Sequence, residues 1–283
     1  MGRGKYYHRW RQIGESIEHK IYAGGWASRI AHRLGLQGAL HTDQREFYLD
    51  AHVSASPLKL AFASDLHAGP LTDSRLLDSF KQTVKSFAPD VLLLGGDYVS
   101  LHHRYVDSFA ERISQLDVPL GIYGVFGNHD LWLDDQYIKR ILEAAGVRFL
   151  INESMVLPRP YSHVSICGLD EPGTGAPDAS KMFANATDHR LVIMHSPLGL
   201  RYLAGHSFDI AFCGHTHGGQ IALPSGRPIV LPSGSGERRF SNGHFTLATG
   251  GKLIASRGIG MSDIPIRLFA PSEVHLCTIN FVK

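Results

Sequence analysis

The feature that most constrains this chain is a recurrence: short apolar runs that each end in a residue able to bind a metal. LKLAFAS runs into Asp65-Leu66-His67, VLLLGG into Asp97, and GIYGVFG into Asn128-His129-Asp130. RLVIM runs into His195, and FDIAFCG into His215-Thr216-His217. Continuous apolar runs of four to seven residues read as buried strands. The spacing predicts strands over 58–63, 91–94, 120–126, 164–167, 191–194 and 210–213, with amphipathic helices over 74–87, 105–116 and 135–145 between the early ones. That alternation is the mark of an α/β chain. In open α/β sheets ligands bind beyond the carboxyl ends of the strands, so residues far apart in sequence are expected to converge there.

Taken singly, each motif has an ordinary structural reading. An Asp after a strand commonly caps a helix, Asn and Asp favour turns, and a lone His is commonly hydrogen-bonded in a core. Five such coincidences at five strand ends are a different matter, and we read them as one site. Asp65 and His67 are two apart, as are His215 and His217, so in extended backbone each pair points to one side. Gly95, Gly96, Gly127 and Gly214 precede the candidate ligands, where the backbone must bend or approach closely.

The ligand types set the chemistry. The chain holds 17 His against 26 carboxylates, and its three cysteines, Cys167, Cys213 and Cys277, show no C-x-x-C spacing. Imidazole and carboxylate ligation is therefore expected, without a thiolate site or a disulfide framework, and a reducing compartment is the default. Asp65, His67, Asp97, Asn128, His195, His215 and His217 are too many for one tetrahedral ion. They suit two divalent ions bridged by one carboxylate, for which Asp97 is the natural choice. Two ions against two carboxylates leave a positive surplus that an anionic phosphate would neutralise, and water shared by the ions could attack phosphorus in line. His129 is placed to protonate the leaving oxygen, with Asp130 expected to hold its imidazole.

The remaining sequence divides in two. Residues 1–42 carry seven bases and two acids, whereas the other 241 residues are mildly acidic, within a net charge of +2. Residues 1–45 read as a basic, amphipathic helical extension. Trp10, Ile13, Ile17 and Ile21 fall at helical spacing, as do Trp26, Ile30 and Leu34, with Gly24-Gly25 between them. Such a head either lies on an anionic membrane surface or packs as an arm on its own domain. The main domain is expected over 46–283, its last third built of short segments such as 252–255 and 274–281 that look like hairpins, in a mixed sheet or two sheets. The 170–181 loop and His102-His103 are candidates for shaping a pocket. Neither a spanning helix nor a cleaved signal peptide is expected. The acidic body disfavours a nucleic-acid polymer as partner.

Asp65-x-His67, Gly96-Asp97, Gly127-Asn128-His129-Asp130, His195 and Gly214-His215-Thr216-His217, in that order, resemble the signature of the calcineurin-like metallophosphoesterases. GHTHGGQIALP and ASRGIGMSDIPIRLFAPSEV are similar to the bacterial YkuE/YaeI-type branch, which includes UDP-2,3-diacylglucosamine pyrophosphatases. The resemblance implies a four-layer α/β/β/α sandwich with two mixed sheets. It implies one metal held by Asp65, His67, Asp97 and His217, and another by Asp97, Asn128, His195 and His215, with His129 as the leaving-group histidine. Manganese is the expected ion, with iron or zinc as alternatives. Asp97-Tyr98-Val99 continues into Ser100-Leu101-His102, and Asp130 stands where protein serine/threonine phosphatases have Glu, which counts against that activity. The expected function is hydrolysis of a phosphodiester or pyrophosphate, most sharply a lipid-linked substrate such as UDP-2,3-diacylglucosamine, in the cytoplasm or at the inner-membrane surface. The alternatives are a phosphodiesterase for a soluble nucleotide or other small diester, and a scaffold that has kept the fold without the chemistry.

Overall fold

The computed structural model describes residues 2–50, 55–236 and 238–282. The chain starts with two helices, α1 (Arg9–Ile21) and α2 (Trp26–Arg33), and then enters the first sheet at β1 (His41–Asp50). That sheet continues through β2 (Leu58–Ala63), α3 (Ser74–Phe87), β3 (Val91–Leu94), α4 (Val106–Ile113) and β4 (Ile122–Gly124). After α5 (Asn128–Trp132) and α6 (Asp135–Ala144) it closes with β5 (Val147–Phe149). The second sheet holds β6 (Glu153–Val156), β7 (Val164–Gly168), β8 (His189–Ile193), β9 (Ile210–Cys213), β10 (Gly243–Thr246) and β11 (Lys252–Ala255), with α7 (Ala179–Phe183) after β7. Finally β12 (Glu273–Val282) returns to the first sheet.

Strand order is β1-β12-β2-β3-β4-β5 in one sheet and β10-β11-β9-β8-β7-β6 in the other. Both sheets are mixed: β12 runs antiparallel to β2, and β6 and β10 run antiparallel to their neighbours, while the central strands are parallel. The last third is thus only partly hairpin-like, because β11 joins β9 in parallel.

Three apolar clusters define four layers. One lies between α3, α4 and α6 and the first sheet, through Phe80, Phe109, Leu142, Leu92 and Leu94. A second fills the space between the sheets with Leu60, Phe62, Leu93, Ile193 and Phe212. The third packs Met182 and Phe183 of α7 under Val192 and Ala211. Local sequence explains the elements. The Asp73 carboxylate accepts from the Arg75 N–H and caps α3, and Leu76, Leu77, Phe80 and Val84 fall on its buried face. Val91–Leu94 is buried on both faces, as strands covered by helices on one side and a sheet on the other must be. Burial of each such Leu or Phe stabilises the fold by roughly 1.5–3 kcal/mol.

β1 begins at His41, ahead of residue 46, and its ten residues pair in parallel with β12. Its polar composition, HTDQREFYLD, belongs to an edge strand with one solvated face, which hides it from an apolar-run criterion. α1 and α2 are separated by Gly24 and Gly25, both at positive φ.

Candidate metal centre

Every candidate ligand lies at the carboxyl end of a parallel strand. Asp65 and His67 follow β2, Asp97 follows β3, and Asn128 opens α5 beyond β4. His195 follows β8, and His215 and His217 follow β9. The two sheets present these ends to one another, and the seven side chains are all buried.

Their approach differs from the expected extended geometry. Asp65 (φ 51°), His67 (φ 41°), Asp97 (φ 52°), His215 (φ 71°) and His217 (φ 52°) all adopt the left-handed conformation. Non-glycine residues there store of order 1 kcal/mol or more each, and such strain clusters at functional sites. Sharp turns, rather than strand alternation, therefore aim the ligands. The flanking glycines make room for them. A Cβ on Gly214 would stand 2.1 Å from Asp65 Oδ2, and one on Gly127 would stand 2.1 Å from Asp97 Oδ1.

Two ligand sets meet at one oxygen. In the first, His67 Nε2 is 3.1 Å from His217 Nε2 and 3.6 Å from Asp97 Oδ2, and His217 Nε2 is 3.6 Å from Asp65 Oδ1. In the second, His195 Nε2 is 3.3 Å from Asp97 Oδ2, 3.1 Å from Asn128 Oδ1 and 3.1 Å from His215 Nδ1. Donors bound about 2.1 Å from a shared ion stand roughly 3–3.5 Å apart, so both sets fit a divalent cation. The outer contacts fix the imidazoles for that role. His195 Nδ1 donates to the Gly95 carbonyl (2.8 Å) and His215 Nε2 to the Ser233 carbonyl (2.8 Å), leaving the opposite nitrogens lone pairs that face inward. Electrostatics agree. Burial opposes ionisation of Asp97, but His195, His129 and His67 outweigh it and hold the carboxyl well below its usual range. The fully buried Arg267 donates to the carbonyls of Arg257, Gly260 and Ala270, clamping the 257–270 segment behind His217.

Asp130 takes a different position from the one expected. Its Oδ2 accepts from the N–H groups of Asp97 (2.8 Å) and Gly127 (2.9 Å), and its Oδ1 from Tyr98 N–H (2.9 Å). The His129 ring is not its partner, and His129 Nδ1 has no hydrogen-bond partner among the described residues. The carboxylate follows the backbone because α5 starts at Asn128, turning Asp130 toward three unpaired N–H groups at its own N-terminus and beyond β3. His129 itself is buried beside His67, and burial together with His67 and Arg11 pushes its pKa well below the ordinary value.

Arg11 is the residue that sequence reasoning passed over. Asp97, Asn128, His215 and His217 floor a cleft of about 510 Å³, and Arg11 and Trp132 form one wall of it. Ile221, Ile229, Val230, Leu231 and Ile264 form the other. The Arg11 guanidinium lies 4.3 Å from the Trp132 ring and 3.4 Å from His129 Nε2, and it donates to Glu15 (2.9 Å). The N-terminal arm brings it there. Gly4 N–H donates to Leu131 O, Lys5 N–H to Thr174 O, and Arg3 makes paired 2.7 Å bonds to Asp170. The 170–181 loop and His102-His103 serve this docking rather than the cleft wall, since His19 bonds Tyr105 and stacks on His102. The only hint in the sequence was the run of bases before α1.

The calcineurin-like phosphoesterase profile matches residues 58–219, the stretch that carries all the ligands. The chain is 30% identical over 207 residues to the phosphodiesterase YaeI of Escherichia coli, covering 71% of this chain and 70% of that protein. It is 28% identical over 231 residues to an uncharacterized metallophosphoesterase of Aquifex aeolicus (79% and 85% covered). Against the uncharacterized metallophosphoesterase YkuE of Bacillus subtilis the identity is 27% over 234 residues (78% and 79% covered). The chain therefore belongs to the calcineurin-like phosphoesterase family and is by class a metal-dependent phosphohydrolase.

Proposed function

We propose that this protein hydrolyses a phosphodiester or pyrophosphate whose organic group is a lipid, at an anionic membrane surface, with UDP-2,3-diacylglucosamine as the sharpest candidate. Asp65, His67, Asp97 and His217 would hold one divalent ion, and Asp97, Asn128, His195 and His215 the other, manganese being the first choice. When bound, such ions supply the Lewis acidity that polarises a phosphoryl oxygen and brings the pKa of water toward neutrality. The chain's own residues do the rest. His129, at the cleft floor, is placed to deliver a proton to the leaving oxygen, and Arg11 beside it offers charge to a leaving group that is itself a phosphate. Asp130 keeps Asp97 and Asn128 in register.

The observation that carries the lipid reading is the orientation of the head. α1 buries Glu15 of its polar side and α2 buries the small residues Ala27, Ser28 and Ala31, while the large apolar side chains of both turn outward. Trp10 is 84% exposed and Leu34 68%, with Ile13, Ile17, Ile21, Trp26 and Ile30 also exposed. Apolar residues also line the cleft, Val230 among them being 69% exposed. A face of this kind flanked by Arg9, Lys20, Arg29 and Arg33 suits an interfacial helix pair. YaeI, the relative named a phosphodiesterase, agrees with the bond type. Among the described residues no helix is long and apolar enough to cross a membrane.

The test is manganese-dependent cleavage of UDP-2,3-diacylglucosamine by a preparation that already cleaves bis(p-nitrophenyl) phosphate. Release of UMP and the lipid monophosphate supports the proposal. Trp10→Ser with Ile17→Ser should release the protein from phosphatidylglycerol vesicles while sparing the soluble substrate. Unchanged vesicle binding, or no cleavage by an active preparation, refutes the lipid reading and moves the substrate to a small soluble diester.

A further inference from the structure

At the edge of the apolar layer between the sheets lies a cluster of titratable side chains. There Asp43 of β1 and His275 of β12 stand opposite one another in register, and His244 of β10 reaches them from the other sheet. Asp43 Oδ2 contacts His244 Nε2 and lies 3.3 Å from His275 Nδ1, and one donor atom from each of the three residues falls within 4.8 Å of the others. Among the described residues, none of the three lines the cleft.

His275 is what makes this more than a surface cluster. It is 1% exposed and packs against Phe62, and each ring nitrogen faces a carboxylate oxygen at 3.3 Å, Nδ1 that of Asp43 and Nε2 that of Glu273, without an aligned hydrogen bond to any of the described residues. A buried imidazole between two carboxylates, with neither contact aligned as a hydrogen bond, is a group whose partners call for an explanation. Its Nε2 points at the Glu273 carboxylate 3.3 Å away, which is itself fixed by the Arg257 backbone N–H and guanidinium. That leaves Nδ1 facing Asp43 and His244. A carboxylate behind an imidazole whose other nitrogen turns to a shared centre is the arrangement by which proteins orient histidine on a metal.

We propose that Asp43, His244 and His275 form a further cation site, separate from the cleft, for one zinc-class divalent ion. Two imidazole nitrogens and one carboxylate oxygen favour a borderline transition ion over magnesium or calcium, which take all-oxygen shells. Asp43 and His244 are about one quarter exposed, so the ion has a path from solvent. Its place is structural. One ion would tie β1 and β12 of the first sheet to β10, an edge strand of the second, and so fasten the strand that follows the basic head.

The test uses the full chain, loaded with zinc, desalted and assayed for metal per chain by mass spectrometry. His244→Ala removes a partly exposed side chain on an edge strand, and Asp43→Asn keeps the shape while removing the charge. Each should hold one zinc equivalent fewer than wild type, should gain less in melting temperature on zinc addition, and should keep wild-type turnover of bis(p-nitrophenyl) phosphate. Equal zinc content in wild type and both variants overturns the site, leaving His275 as an imidazolium paired with Asp43 and Glu273.

Discussion

Asp130→Asn separates two accounts of the same residue. The carboxylate is wholly buried and holds three backbone N–H groups at 2.8–2.9 Å. Bonds to a charged acceptor are worth about 1.5–3 kcal/mol each. An amide whose oxygen replaces Oδ2 keeps the Asp97 and Gly127 bonds in weaker, neutral form, but it sets an NH2 against the Tyr98 N–H. Burial, followed by the nearby Asp97, pushes the Asp130 pKa well above its ordinary value, so losing the charge returns part of that sum. The net loss is about 2 kcal/mol, which for a chain of this size lowers the melting temperature by roughly 3–4 °C. The local effect is sharper. Oδ2 joins the turn after β3 to the turn after β4, alongside the His129 N–H bond to Asp97 Oδ1, and hence Asp97 to Asn128. Metal affinity should fall about 10–100-fold, as it does when groups behind the ligands are lost. Melting in chelator and activity against manganese concentration measure the two effects. If Asp130 instead oriented His129, the melting temperature and the metal midpoint would stay put, and turnover would fall only with poor leaving groups. That result would refute the reasoning.

Three further outcomes are expected. Asp97→Asn should lose metal and rate together, because both ligand sets share its Oδ2; full activity with full metal content would contradict the shared-carboxylate assignment. His129→Ala should keep its metal and lose about 10²–10⁴ in kcat on alkyl diesters, and much less on nitrophenyl esters, whose leaving group needs no proton. Equal losses on both would remove the proton-donor role. Arg11→Ala deletes a charge-assisted contact worth about 1.5–3 kcal/mol, so kcat/KM on a pyrophosphate should drop roughly 10–100-fold. A nitrophenyl diester should be nearly indifferent, and steady-state kinetics on the two substrates reads the difference.

What the sequence made legible, and what it concealed, follows from the range of the forces involved. The ligands could be read because each sits where an apolar run stops, and the run is set by local burial. β2, β3 and β9 start and stop where the pattern places them, and with them come Asp65, Asp97 and His215. The backbone that aims those ligands was less visible. Asp65 and His67 reach one centre through two left-handed residues, not through a strand's alternation, and only the neighbouring glycines hint at so tight a path. Asp130 shows the same limit: its position beside His129 suggested a partner for the ring, but three unpaired N–H groups compete better for a buried carboxylate.

The head reverses the usual inference from amphipathicity. Periodicity places Trp10, Ile13, Ile17 and Ile21 on one face, and the default is to turn that face inward. Here Glu15 of the polar face is the buried residue, because the arm ahead of α1 is anchored by Arg3 on Asp135 and Asp170, and Tyr7, stacked on Trp132, meets Glu15. None of those partners is near in sequence except Glu15, so no local pattern could reveal them. The consequence joins the two halves of the molecule. The helix that exposes the apolar stripe is the helix that carries Arg11 to His129, so whatever surface the stripe meets lies at the edge of the cleft. On the lipid reading proposed above, a surface that receives the α1 stripe would bring a membrane-anchored phosphate toward the catalytic floor.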